Sequence, residues 1–115
     1  ILIAFGAAFF AHPLTPAYAC SCVPARPPLE SRDEAQAVFS GTVSAVQPDA
    51  GGLLVTFDVE RVWKGPEEGA LTLATSGSSA SCGVEFVEGE QYLVYGLAQD
   101  GQLTTNLCTR TAPLA

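Results

Sequence analysis

Histidine is all but missing from this sequence, since the only one in 115 residues is His12. From residue 20 onward there is no imidazole, which excludes Ser-His-Asp and Cys-His catalysis, His-ligated zinc and histidine pH switching there. Basic residues are scarce too. Five Lys and Arg stand against 12 Asp and Glu, a formal net charge of −7, and all of these lie beyond residue 19. A domain this acidic repels phosphate backbones and anionic membranes, whose binding depends on clustered Lys and Arg. Nucleic acid is therefore not an expected partner. The first 19 residues carry no charge, and methionine is absent throughout.

What the amino terminus does have is an unbroken apolar run over residues 1 to 11. It is too short to span a bilayer, which takes about 20 apolar residues as a helix. Pro13 and Pro16 follow, and then Ala17-Tyr18-Ala19, the small-x-small pattern after which signal peptidase cuts. Residues 1–19 thus read as a signal peptide rather than a helix of the folded domain, because no polar face exists to meet solvent. With no basic n-region and no initiator Met, the sequence is expected to begin inside that signal. Cleavage would free the amine of Cys20 and leave residues 20–115, 96 residues, as one domain outside the cell, or in the periplasm of a bacterium. No stable membrane insertion is expected after cleavage.

A domain of that size buries somewhat over 60% of its unfolded-chain surface, a thin core that gains from covalent staples. All four cysteines (Cys20, Cys22, Cys82, Cys108) fall in it. An even count in a short exported chain reads as two disulfides, and counting leaves three connectivities open.

Along the mature chain, Val23 to Pro28 holds three prolines in five residues and is expected to be extended and stiff. Ser31 stands three before Glu34, a capping box reinforced by Asp33, predicting a short helix over roughly residues 31–37. Ala37–Val46 is β-prone, with Gly41 as a bulge or bend. A turn at Pro48–Gly52 precedes Leu53–Glu60, where Leu53, Val55, Phe57 and Val59 alternate with Leu54, Thr56, Asp58 and Glu60. Lys64-Gly65-Pro66 and Glu67-Glu68-Gly69 break the chain before a strand at Ala70–Thr75, and the Ser76–Ser81 loop delivers Cys82. Gln91–Gly96 is another strand, and Asp100-Gly101 a hairpin turn from which Leu103–Cys108 pairs back. The fold class is all-β with one or two short helices, arranged as a five-stranded Greek-key barrel.

Several constellations have plain structural explanations. Cys20-Ser21-Cys22 lacks the close second pair of a zinc knuckle and the C-x-x-C spacing of redox catalysts, so structural bridges are expected and no metal of its own. Asp58 with Glu60, and Glu85, Glu88 and Glu90, read as a solvated acidic face rather than a glycosidase pair or calcium cage. The serine-rich loop has no base beside it. Trp63, Phe39, Phe57, Phe86, Tyr92 and Tyr95 could stack bases in a barrel of this kind, but at this charge they are assigned to the core. No enzyme activity is expected.

Cys20-Ser21-Cys22-Val23-Pro24, Trp63-Lys64-Gly65-Pro66, Ser79-Ala80-Ser81-Cys82-Gly83-Val84, Tyr92-Leu93-Val94 and Asp100-Gly101 followed by Cys108 occur in one order across the mature chain. This set resembles the amino-terminal domain of the tissue inhibitors of metalloproteinases, a netrin-like OB fold. The resemblance implies bridges Cys20–Cys82 and Cys22–Cys108. It also implies a secreted inhibitor with no cofactor, in which the Cys20 amine and carbonyl oxygen chelate the catalytic zinc of a secreted metalloproteinase. Ser21 would enter the primed-side specificity pocket, with Cys22, Val23, Pro24, Ser79, Ala80, Ser81 and Cys82 as neighbouring contacts. A monomer is expected. The family's third amino-domain disulfide has no counterpart, Arg32 standing near where its first cysteine would lie, and no cysteine-rich carboxy-terminal domain is visible in these residues.

Two other functions compete. One is a non-inhibitory netrin-like binding module. The other is a lipoprotein acylated on Cys20, disfavoured because Ala17 and Tyr18 do not form a lipobox and acylation would strand Cys82. Amino-terminal sequencing and intact mass of the exported protein should give Cys20 first with a free amine. A different first residue, or an acylated Cys20, contradicts the export scheme.

Overall fold

The computed structural model describes residues 20–22 and 27–114. The segment 1–19 expected to be a signal peptide and the Val23–Arg26 part of the proline run lie outside the described residues. Proline opens the ordered chain. Pro27 is extended (φ −55°, ψ 153°) and Pro28 takes the first position of helix α1 (Pro28–Glu34), with the Ser31 N–H bonding to the Pro27 carbonyl at 3.0 Å. The ring presets φ for that position and lacks an N–H the helix would leave unpaired. The expected capping box at Ser31 is not used as one: the helix starts three residues earlier, and its N-cap, Pro27, offers no side-chain hydrogen bond. Extended Ala35 ends α1 just before the first strand.

Strands follow as β1 (Ala37–Asp49), β2 (Gly52–Lys64), β3 (Ala70–Ser76), β4 (Gln91–Gln99), β5 (Gln102–Thr104) and the two-residue β6 (Ala112–Pro113). Strand β1 pairs with β2, β2 with β3, β3 with β5, β5 with β4, and β4 with β1 again, so five strands close a ring. All contacts in the ring are antiparallel except the single parallel bridge Ala74↔Thr104. This is the closed all-β, OB-like barrel expected, and closure removes most free strand edges. β6 adds only Tyr92↔Pro113 and Leu93↔Ala112.

The turns are tighter than the sequence suggested. Pro48 and Asp49 belong to β1, and the β1–β2 hairpin turns on Ala50-Gly51 alone, with Gly51 at φ +83°. The Asp100-Gly101 hairpin has both residues at positive φ, as a two-residue turn matching strand twist requires. Strand β5 stops at Thr104, so Cys108 lies in a turn and not in a strand. The cause is local: Asn106 Oδ1 accepts the Cys108 N–H at 2.7 Å, closing an Asx turn that replaces ladder bonding.

Inside the ring, Phe39, Val43, Val55, Phe57, Leu73, Tyr92 and Val94 are fully buried. Phe57 meets Phe39, Phe86 and Tyr92 edge to face at 5.4, 5.3 and 6.4 Å, the geometry aromatic quadrupoles prefer. The Tyr92 hydroxyl accepts the Val87 N–H at 2.8 Å, which keeps its polar end satisfied.

Trp63 is not part of this core; it is 45% exposed. Register explains why. Gly41 pairs with Val59 but Ser40 with Arg61, so Glu60 is an extra residue and the alternation of β2 flips there; a second shift, Phe39 with Val62 but Val38 with Lys64, leaves Trp63 itself opposite no residue of β1. Val62 then turns inward, while Arg61 and Trp63 share the outer face, guanidinium 4.9 Å from the ring centroid. Gly41 permits the pinch, since a Cβ there would stand 2.7 Å from the Asp58 carbonyl oxygen. The bulged Glu60 accepts Thr42 Oγ1 of β1 at 2.6 Å and Gln91 Nε2 of β4 at 2.8 Å. These two bonds hold its carboxyl below the usual value and tie three strands on the outside.

Phe57→Ala should therefore cost about 3–5 kcal/mol, and Trp63→Ala no more than about 1 kcal/mol, as read from urea unfolding midpoints. Comparable losses at the two positions would contradict the outward placement of Trp63.

Candidate functional site

The chain from Ser76 to Cys82 folds on its own polar groups. A 3-10 turn spans Ser79–Ser81, closed by Ser81 N–H to Ser78 O at 3.2 Å and Cys82 N–H to Ser79 O at 3.0 Å. The Ser81 hydroxyl also donates to the Ser78 carbonyl at 3.1 Å. Cys82 caps the turn in the left-handed region, φ +69°, which costs a non-glycine residue about 1–2 kcal/mol. Two partners hold it there: its sulfur is bonded to Cys20, and its carbonyl accepts the Leu107 N–H at 2.9 Å. Gly83 follows because nothing larger fits. A Cβ would collide with the Ser76 carbonyl, and the Gly83 N–H reaches Ser78 O at 2.9 Å.

The 105–111 loop is fixed by threonine hydroxyls. Thr105 N–H bonds to Ala74 O at 3.0 Å and extends the parallel contact of β3 with β5. Between β5 and β6 the backbone of Tyr95 has no strand beside it on that edge. The Tyr95 N–H donates to Thr111 Oγ1 at 2.8 Å, the Thr105 hydroxyl donates to Tyr95 O at 3.1 Å, and the two hydroxyls lie 2.7 Å apart. Side chains thus complete a ladder that the backbone leaves open, and no buried side-chain polar atom among the described residues is unpaired.

Onto these two loops the Cys20-Ser21-Cys22 segment is clamped. Cys20 is bridged to Cys82 with Cα atoms 4.9 Å apart, and Cys22 to Cys108 at 5.4 Å. That leaves Ser21 and Cys22 exposed and Cys20 partly buried. The bridges close 62 and 86 residues, each worth roughly 4–5 kcal/mol of loop entropy taken alone. The Sγ atoms of Cys20, Cys22 and Cys108 lie within 4.8 Å of one another. All three are consumed in bridges, so they lack the thiolate charge that a zinc ligand needs.

Of the residues singled out from the sequence, Cys20, Ser21, Cys22, Ser79, Ala80, Ser81 and Cys82 come together through these bridges; Val23 and Pro24 lie outside the described residues. An open groove of about 320 Å³ runs beside Ser81 and Cys82, between the β1–β2 hairpin tip and Asn106. A second, of about 300 Å³, lies beside Ser78 and Ser79 on the Val84–Val87 side. Together with the exposed residues between them, the two grooves make the 78–82 turn a ridge. Sequence reasoning missed Asn106 and Leu107, which bring the third segment to this place; the Asn two before a cysteine was the available signal. It also missed Thr105 and Thr111, spaced too widely to announce a shared partner. None of the residues forming the ridge has a charged side chain, and the carboxylates of Glu85 and Glu88 lie further along the chain.

No known family profile matches the chain. Individual proteins do. The chain is 31% identical over 123 aligned residues to metalloproteinase inhibitor 2 of Homo sapiens, covering 96% of the chain and 56% of that protein. The protein of the same name from Rattus norvegicus is 30% identical with the same coverages, and that from Canis lupus familiaris 28%. The chain thus spans a little over half the length of these relatives. Similarity along nearly the whole chain, the five-strand ring and the clamped Cys20-Ser21-Cys22 segment together support an amino-terminal domain of the tissue inhibitor of metalloproteinases family.

Proposed function

We propose that the mature protein is exported, begins at Cys20, and inhibits a secreted zinc metalloproteinase by presenting its own terminal amine and carbonyl oxygen to the catalytic metal. The observation that supports this reading most is the double clamp, Cys20 to Cys82 and Cys22 to Cys108, on two loops already joined by the Leu107–Cys82 backbone bond. A catalytic zinc keeps an open position and tolerates a fifth ligand, so an amine and a carbonyl oxygen on one residue can displace the activating water. The clamp removes the chain freedom that a free terminus would lose on binding. Ser21, exposed and projecting from the clamped segment, enters the primed-side pocket of the protease. Ser79, Ala80, Ser81 and Cys82 line the cleft wall next to it, and Val23 and Pro24 continue the contact along the chain.

The protein supplies no metal and no cofactor, and it acts as a monomer. No helix among the described residues is long and apolar enough to cross a membrane. The relatives named above are themselves metalloproteinase inhibitors, which supports the class of target without naming one.

An α-amine has an ordinary pKa of about 7.7–8 and must lose its proton to bind zinc, so inhibition should weaken as pH falls below about 7. One extra alanine before Cys20, or acetylation of its amine, should abolish inhibition across a panel of secreted zinc proteases while leaving both bridges intact. Ser21→Gly should be milder, costing roughly 1–2 kcal/mol of affinity through lost pocket contact. Equal inhibition by extended and native forms would refute zinc chelation by Cys20. Inhibition of no panel member by the native form would favour the non-inhibitory netrin-like module.

A further inference from the structure

We propose that Cys22 is a site of attack for a small-molecule thiol, and that this attack transfers the Cys20 bridge from Cys82 to Cys108. The mapping of this chemistry stands on the sulfur geometry alone; its effect on inhibition rests on the function proposed above. Four sulfurs form two bridges, yet three of them, on Cys20, Cys22 and Cys108, lie within 4.8 Å of one another. Cys22 is exposed and lies one residue from exposed Ser21. Cys108 is exposed as well, so a thiolate such as glutathione can reach either end of the Cys22–Cys108 bridge. Attack at Cys22 is the end that frees Cys108, whereas attack at Cys108 would leave Cys22 only Cys20, two residues away, to bridge.

Attack on Cys22 Sγ forms a mixed disulfide there and expels Cys108 as a thiolate. That thiolate faces the Sγ of Cys20, which is bonded to Cys82. From a separation of at most 4.8 Å, a movement of no more than about 1.3–1.8 Å brings the pair to attack distance, and intramolecular reactions so poised proceed at very high effective concentration. Cys108 Sγ then bonds to Cys20 Sγ, the Cys20–Cys82 bond breaks, and Cys82 leaves with the electron pair and takes the proton the external thiol gave up. Two disulfides are consumed and two are formed, so no further oxidant or reductant is needed.

Expelling Cys82 has a local driving force. Its left-handed backbone is held by the Cys20 bond and by the Leu107 hydrogen bond, so losing the bond lets φ relax. The amino terminus keeps one covalent hold, now on the 105–111 loop, and departs from the 78–82 ridge. Thiolation at Cys22 would in this way convert a rigid terminus into a displaced one without unfolding the barrel, whose ring uses none of the four cysteines.

The test uses the exported protein with both native bridges, incubated with glutathione near pH 8, quenched by acid at timed intervals, alkylated and peptide-mapped. The expected products are glutathione on Cys22, a Cys20–Cys108 bridge and alkylated Cys82, with the last two appearing together. Alkylated Cys108 beside an intact Cys20–Cys82 bridge, or glutathione on Cys108 or Cys82, would overturn the proposal. In a Cys22→Ser/Cys108→Ser variant the Cys20–Cys82 bridge should open at least about tenfold more slowly at the same thiol concentration; equal rates would also overturn it. Should that variant fail to fold, the native map decides alone. Inhibition measured on the same samples tests the earlier proposal separately, because the map reports the exchange whether or not any protease is inhibited.

Discussion

The covalent clamp on Cys20-Ser21-Cys22 is the constraint on which the rest of this molecule turns. Two bonds hold Cys20 and Cys22 against loops 62 and 86 residues away in sequence. The two closures overlap, so the second adds less loop entropy than the first. Its contribution is orientational: one bridge would leave the segment free to pivot, whereas two fix its direction. Each receiving loop must then be rigid in its own right. The 78–82 turn achieves this with serine carbonyls and hydroxyls, and the 105–111 loop with Asn106 and the Thr105–Thr111 pair.

The barrel supplies a foundation that those loops could not provide. Closing the ring through Ala74↔Thr104 brings the ends of β3 and β5 side by side, and the 78–82 and 105–111 segments leave from those ends. A parallel contact between strands from distant parts of the sequence is what makes Cys82 and Cys108 neighbours. The aromatic cluster around Phe57 sits beneath, so burial energy, not the disulfides, fixes the strand order.

Much of this was legible in the sequence where a short-range rule applied. Strict alternation from Leu53 to Val59 marked the inner face of β2, and Asp100-Gly101 marked a two-residue turn, because each depends on local geometry alone. The cysteines were legible as a pair of bridges by count, and their partners by the resemblance. What was hidden depended on longer-range competition. Ser31 and Glu34 look like a capping box, yet Pro27-Pro28 had already started the helix. Trp63 looks like core, yet an extra residue at Glu60 and a second shift that leaves Trp63 itself without a β1 partner turned it outward. Thr105 and Thr111 show no periodicity, and their role exists only because Tyr95 lacks a strand neighbour at one edge.

In the proposed zinc chelation, chain entropy surrendered at folding is what would make a single residue's backbone an effective metal ligand. Its most direct test is a structure of the mature protein bound to a zinc metalloproteinase that it inhibits. The account predicts the Cys20 nitrogen and carbonyl oxygen both on the zinc at about 2.0–2.2 Å, with the water displaced and the 78–82 ridge against the cleft. A complex in which the zinc keeps its water and Cys20 lies away from the metal would contradict it.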